Sequence, residues 1–136
     1  MPTPKEITNT MMELDYFSQW LGIKVIEVSV GSCKLEMTVR KEMLNGFGIA
    51  HGGITYSFAD SALAFACNSH GQKSVSVETS ISHTKSLVEG DTIIAEATED
   101  HKSNKIGVYH IKVYKKENNE IVALFKGTVY RTSKSW

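Results

Sequence analysis

No charge of either sign dominates this sequence. Lysine plus arginine and aspartate plus glutamate stand at 15 each over 136 residues, the formal net charge is zero and the pI is about 7.0. Nothing therefore recommends a polyanion as partner, and nucleic acid binding is not expected. Cysteine is nearly absent. Cys33 and Cys67 fall on predicted core faces of a strand and a helix, which suits free buried thiols in a reducing compartment better than a disulfide. No stretch approaches the roughly 18 uninterrupted apolar residues of a membrane span, and the N-terminal segment lacks an apolar signal core. The expectation is a cytoplasmic protein with no membrane partner. His70, His83, His101 and His110 are scattered over predicted turns and strands without His-x-x-x-His or cysteine spacing, so no metal site is expected. Repeats, linkers and low-complexity segments are missing too, and the length suits a single domain over residues 1–136.

What is present begins with an amphipathic helix over the first twenty residues. Thr3-Pro4-Lys5-Glu6 opens it with an N-cap threonine, proline at the first helical position and glutamate at the third, and Gly22 closes it. Ile7, Met11, Leu14 and Leu21, with Phe17 and Trp20 beside them, form one apolar stripe. From Ile23 the period changes to two. Ile23 to Val30 and Cys33 to Val39 read as a hairpin turned at Gly31-Ser32. A third strand runs from Ser74 to Lys85, with Val75, Val77, Thr79 and Ile81 alternating against an unusually polar face. Thr92 to about Glu99, Ile106 to Lys115 and Ile121 to about Arg131 complete six strands, separated by Lys102–Lys105 and by an Asn118-Asn119 turn, with a short tail from Ser133.

Between the second and third strands lies MLNGFGIAHGGITYSFADSALAFACN, residues 43–68. Loop punctuation at Asn45-Gly46 and Gly48 leads through His51-Gly52-Gly53 into a helix of four to five turns that is apolar nearly all round. Such a helix is a core helix, and beneath a curved antiparallel sheet it makes an α+β fold. Asp60 interrupts it. An unpaired buried carboxylate is costly, so Asp60 either meets solvent or a basic group at the helix edge, or it is held there for chemistry. The paired glycines leave backbone N–H groups open at the positive end of the helix, an arrangement suited to an oxyanion.

The order of elements, with Asn-x5-His-Gly-Gly entering the helix and Asp-Ser-Ala seven residues past the second glycine, resembles the hotdog-fold acyl-CoA thioesterases, most closely their phenylacetate-degradation type. FADSALAFACNS, GVYHIKVY and IVALFKGT are similar to that subgroup's segments. The resemblance implies a curved six-stranded antiparallel sheet around one helix, with a flanking N-terminal helix. It also implies an active site of Asn45, His51, Gly52 and Asp60, a water-placing hydroxyl at Ser76, and aryl-acetyl-CoA substrates. Asp60 attacks the thioester directly or acts as general base, and the Gly52 N–H polarises the carbonyl. Asn45 fixes the loop, and His51 either orders the helix start or meets the thioester. Gly53 belongs to the substrate-facing glycine pair, and Lys85, Lys102 and Lys105 are candidates for the coenzyme A phosphates. Phe47, Tyr56 and Phe58 are candidates for an aromatic pocket. No cofactor is expected beyond coenzyme A as part of substrate and product. A single sheet leaves edges and an incompletely covered helix flank, so a homodimer is the minimum and a dimer of dimers is expected.

Two other readings use the same residues. A hotdog dehydratase or hydratase would need a catalytic histidine, for which His51 and Asp60 could superficially serve, but the motifs around such a histidine are missing. A non-enzymatic acyl-CoA-binding protein would have no need of Asp60.

Overall fold

The computed structural model describes residues 1–136. The Thr3 capping box forms as expected and starts α1, Pro4–Leu14. The helix then breaks, because Asp15 turns its carboxylate onto the Ser18 N–H and O–H at 3.0 and 2.6 Å and caps a second helix, α2, Tyr16–Leu21. The expected single flanking helix is therefore two. Its stripe divides as well: Ile7 and Leu21 are buried and Met11 half-buried, while Leu14, Phe17 and Trp20 are exposed. The aromatic pair stacks on itself, with the Arg40 guanidinium over Trp20.

Six strands follow in one antiparallel sheet, ordered β1-β2-β4-β5-β6-β3. They are β1 Lys24–Ser29, β2 Ser32–Thr38, β3 Gln72–His83, β4 Thr92–Lys102, β5 Ile106–Lys115 and β6 Ile121–Ser135. The sheet wraps α3, Gly52–Asn68, whose Phe58, Ala59, Ala62, Leu63, Phe65 and Ala66 are all but inaccessible. Cys33 and Cys67 are free and buried in this core. A turn of 3-10 helix at Lys41–Met43, not anticipated from the sequence, leads into the loop before α3. No helix is long and apolar enough to cross a membrane.

Two departures from the expected strands bear on the site. In β3, Ser76 pairs with Val129 and Glu78 with Thr128, so Val77 is bulged. Before the bulge, Ser74 and Ser76 lie opposite the buried Arg131 and Val129; after it, Thr79 and Ile81 lie opposite Gly127 and the buried Phe125. Val75 and Val77, expected on the core face, are instead exposed at 58% and 62% on the free edge of the sheet. The second departure is at the end of β6. The expected tail from Ser133 is strand: Ser135 pairs with Gln72, and the Trp136 N–H donates to the Gly71 carbonyl.

The far end of α3 is tied to the sheet through Glu99. Burial alone would raise its pKa, but hydrogen bonds donated by Tyr109 and His70 hold the carboxyl below its ordinary value. Near the middle, α3 presses on β6 so closely that a Cβ on Gly127 would lie 2.5 Å from Leu63 Cδ2. Gly127→Ala is accordingly expected to lower stability by about 1–3 kcal/mol in a denaturant titration, because the buried Leu63 side chain has to give way in a packed core. A variant as stable as the parent would show that this helix–sheet spacing is not tight.

Candidate active site

The loop before α3 is held by its own backbone. The Ala50 N–H donates to the Leu87 carbonyl and the His51 N–H to the Met43 carbonyl, both at 2.8 Å, and the Asn45 side chain accepts from the Phe47 N–H at 2.9 Å. Asn45 thus closes a local turn within the loop. His51 is the N-cap of α3. Its Nδ1 accepts the Gly53 N–H at 2.9 Å, which leaves the ring proton on Nε2 and withdraws Gly53 from the set of open donors. The expectation of two free glycine amides is corrected to one: the Gly52 N–H has no acceptor.

Gly52 lines a cavity of about 340 Å³ together with Asn45, Ala50, Thr55, His83 and Lys85. His83 was not expected here. A Cβ on Gly52 would stand 3.3 Å from His83 Nε2, so the imidazole covers the face of the glycine and a larger residue at 52 would press on it. Nothing in the local sequence flags this histidine, because only the passage of β3 alongside the start of α3 brings it there. Lys85 also reaches this cavity while pairing with Glu120 at 3.5 Å.

Asp60 is elsewhere. It lines a second cavity, of about 420 Å³, with Met11, Leu63, Ala64, Cys67, Asn68, Lys73, Ser74, Val75, Ser76, Val129 and Trp136. Eight residues on from Gly52, its backbone lies roughly 12 Å further along the helix axis. Ser76 and its neighbour Val75, both exposed, reach this cavity from the β3 side. Burial raises the Asp60 carboxyl above its ordinary value of 3.8, repulsion from Asp15 adds to the rise, and no hydrogen bond offsets either. Cys67 offers no competing nucleophile, since burial pushes its thiol up to about 12.

Half-buried Gly52, Ser57, Asp60 and Ala64, with exposed Gly53, recur at helical spacing along one face of α3. This is the stripe that the sheet leaves uncovered, and it carries both the free amide and the unpaired acid. The sequence pattern of the thioesterase superfamily matches residues 47–122, a span that contains both. The chain belongs to the thioesterase superfamily. It is a thioester hydrolase with the hotdog fold. The acyl-coenzyme A thioesterase PaaI of Escherichia coli strain K12 is 37% identical over 123 residues, which cover 90% of this chain and 87% of that protein. The structure of E. coli PaaI, from the phenylacetic acid degradation operon, superposes with a TM-score of 0.94 at 35% identity over 97% of this chain and 95% of that one. The TT0310 protein of Thermus thermophilus gives 0.83 at 36% identity over 87% and 98%.

Other expected residues of this thioesterase lie apart from both cavities. Lys102 ends β4 and Lys105 lies in the following turn, where its carbonyl accepts the Arg131 N–H. That places them at the Gln72 end of β3, opposite the end occupied by His83 and Lys85. None of the three candidate aromatics lines the Asp60 cavity. Phe58 is core, Phe47 is 90% exposed, and Tyr56 hydrogen-bonds Thr79 and packs edge-on against Phe125. The aromatic wall there is Trp136, in the stretch read as tail.

Because its folded pKa is raised, Asp60 holds its proton over a range in which the unfolded chain has released it. Stability is therefore lost as pH rises from 3.8 through the raised folded value, and the loss is complete above it. Asp60→Asn is expected to melt a few degrees higher than the parent at neutral pH, with the difference vanishing at pH values below the ordinary aspartate range. Equal melting temperatures throughout would mean that Asp60 ionises without strain.

Proposed function

We propose that this acyl-CoA thioesterase of the PaaI type hydrolyses aryl-acetyl thioesters, such as phenylacetyl- or hydroxyphenylacetyl-CoA, at a site built from two copies of the chain. The observation that carries the reading is the division of the machinery. The open Gly52 amide and the unpaired Asp60 carboxylate line different cavities of one protomer, too far apart to meet one thioester. The reacting carbon needs both within about 3–3.5 Å. If two copies pair with their α3 helices antiparallel, Asp60 of each approaches Gly52 of the other, twice per dimer. The uncovered α3 stripe and the bare β3 edge with Val75 and Val77 support such a pairing.

In this site the Gly52 N–H takes up the charge that develops on the carbonyl oxygen. Asp60 either attacks the acyl carbon, expelling the coenzyme A thiolate and leaving a mixed anhydride for water to open, or draws a proton from the attacking water. Ser76 holds water beside Asp60, while Asn45 and His51 keep the Gly52 loop in shape. Antiparallel β3 edges would bring Lys85 of one copy to the same end as Lys102 and Lys105 of the other, a set suited to the phosphates of coenzyme A. Dimers pair further into a tetramer, and the buried free thiols suit a cytoplasmic setting.

Thiol release from a panel of acyl-CoA esters tests the substrate class. Phenylacetyl-CoA is expected to exceed palmitoyl-CoA in kcat/KM by at least about tenfold, and the reverse order would overturn the aryl-acetyl assignment. The shared site has a separate test. A dimer joining an Asp60→Ala chain to an Asn45→Ala chain contains one intact site and one doubly damaged site. Purified mixed dimers are expected to recover about half of parental activity while both mutant homodimers stay nearly dead. Mixed dimers as inactive as their parents would put each site within a single chain.

A further inference from the structure

The Asp60 cavity has a fixed far end. Asp60, Ala64, Cys67 and Asn68 follow one another along a single face of α3, which gives the cavity a length of roughly 10–12 Å from the carboxylate to the level of Asn68. Trp136 stands at that level. Its indole N–H donates to Asn68 Oδ1 at 2.9 Å, its backbone N–H donates to the Gly71 carbonyl at 3.0 Å, and the Lys73 ammonium lies 4.8 Å from its ring centre. Asn68 is itself held. It is 2% exposed, accepts the Ser74 N–H at 2.9 Å, and donates to the carbonyls of Ala64 and Ser74 at 2.8 and 3.2 Å. The indole is therefore a braced plate, and an acyl group entering past Asp60 cannot push it aside without breaking its part-buried hydrogen bond to a fixed asparagine.

We infer that Trp136 is the end wall of the acyl cavity and sets the largest acyl group the enzyme accepts. The inference rests on the reading of Asp60 as the group that meets the acyl carbon. Carbon–carbon bonds of about 1.5 Å advance an extended chain by roughly 1.25 Å each, so the cavity holds about eight carbons in line. A phenylacetyl group falls within that length, and a palmitoyl group overruns it about twofold. The lining matches an aromatic occupant: the indole closes the end, and Met11, Leu63 and Val129 are among the residues along the passage. Phe47, Tyr56 and Phe58 have no part in this wall.

The test is the acyl-length profile of kcat/KM, from acetyl- to palmitoyl-CoA with phenylacetyl-CoA included, for the parent, Trp136→Ala and Trp136→Phe. The parent is expected to fall off sharply beyond about eight carbons. Trp136→Ala, which opens the far end, should move the fall-off several carbons outward and raise the ratio of dodecanoyl- to phenylacetyl-CoA hydrolysis at least about tenfold. Trp136→Phe keeps a smaller aromatic ring without the bond to Asn68 and should place its fall-off between those of the parent and the alanine variant. It also serves as the folded comparison, with melting temperatures measured for all three, and Trp136→Leu replaces the alanine variant if that chain does not fold. An unchanged fall-off in the opened variant, with phenylacetyl-CoA still cleaved by the parent, would overturn the role of Trp136 alone. A parent that cleaves no acyl-CoA would overturn the Asp60 reading, and this inference with it.

Discussion

A helix that is apolar nearly all round needs cover on every side, and a single six-stranded sheet cannot close around it. This constraint organises the molecule. The sheet buries the faces of α3 that carry Phe58, Leu63 and Phe65, and the two N-terminal helices add cover, with Ser18 and Ser61 hydrogen-bonded at 2.8 Å between α2 and α3. What remains open is one stripe, and on that stripe sit the residues whose chemistry would be wasted in a closed core. Burial opposes the charge on Asp60, yet its side chain keeps a water-facing side. A fully covered Asp60 would be neutral and inert, whereas a fully exposed one would be an ordinary surface acid.

The same strand both prepares the cavity and leaves an unfinished edge. Regular alternation through β3 would turn Val75 and Val77 inward and Ser74 and Ser76 outward. The bulge at Val77 reverses this for the first half of the strand. Two hydroxyls gain a place beside Asp60, and two valines are left on an edge that has no partner within the chain.

The Asp60 cavity is assembled from segments far apart in the chain. Met11 comes from α1, Leu63 and Cys67 from α3, Ser76 from β3, Val129 from β6, and Trp136 from the residue after it. Each is placed by a different restraint: a capping box, helix burial, a bulge, strand pairing, and an indole bond to a buried asparagine. A cavity built this way can change at one wall without disturbing the others.

Much of this was legible in the sequence because it depends on short-range periodicity and local backbone chemistry. Helical spacing and an N-cap signature located α1, alternation located the strands, and glycines with an embedded acid marked α3 as core and as the candidate site. Family resemblance then named Asn45, His51, Gly52, Asp60 and Ser76 together. Other features are not local. Whether Val75 or Ser76 faces the helix depends on a bulge against β6, and a parity count along β3 alone cannot register it. His83 reads as one scattered histidine, and Trp136 as part of a tail, until the register of β3 with α3 and β6 brings each to a cavity wall. His51 differs again: residue type made it a candidate for chemistry, but the backbone angle at the helix start gives its Nδ1 to the Gly53 amide. Sequence by itself determined which segments form and which groups can react. Only the tertiary structure decided which of them share a cavity, because that depends on pairings between residues as much as 68 positions apart.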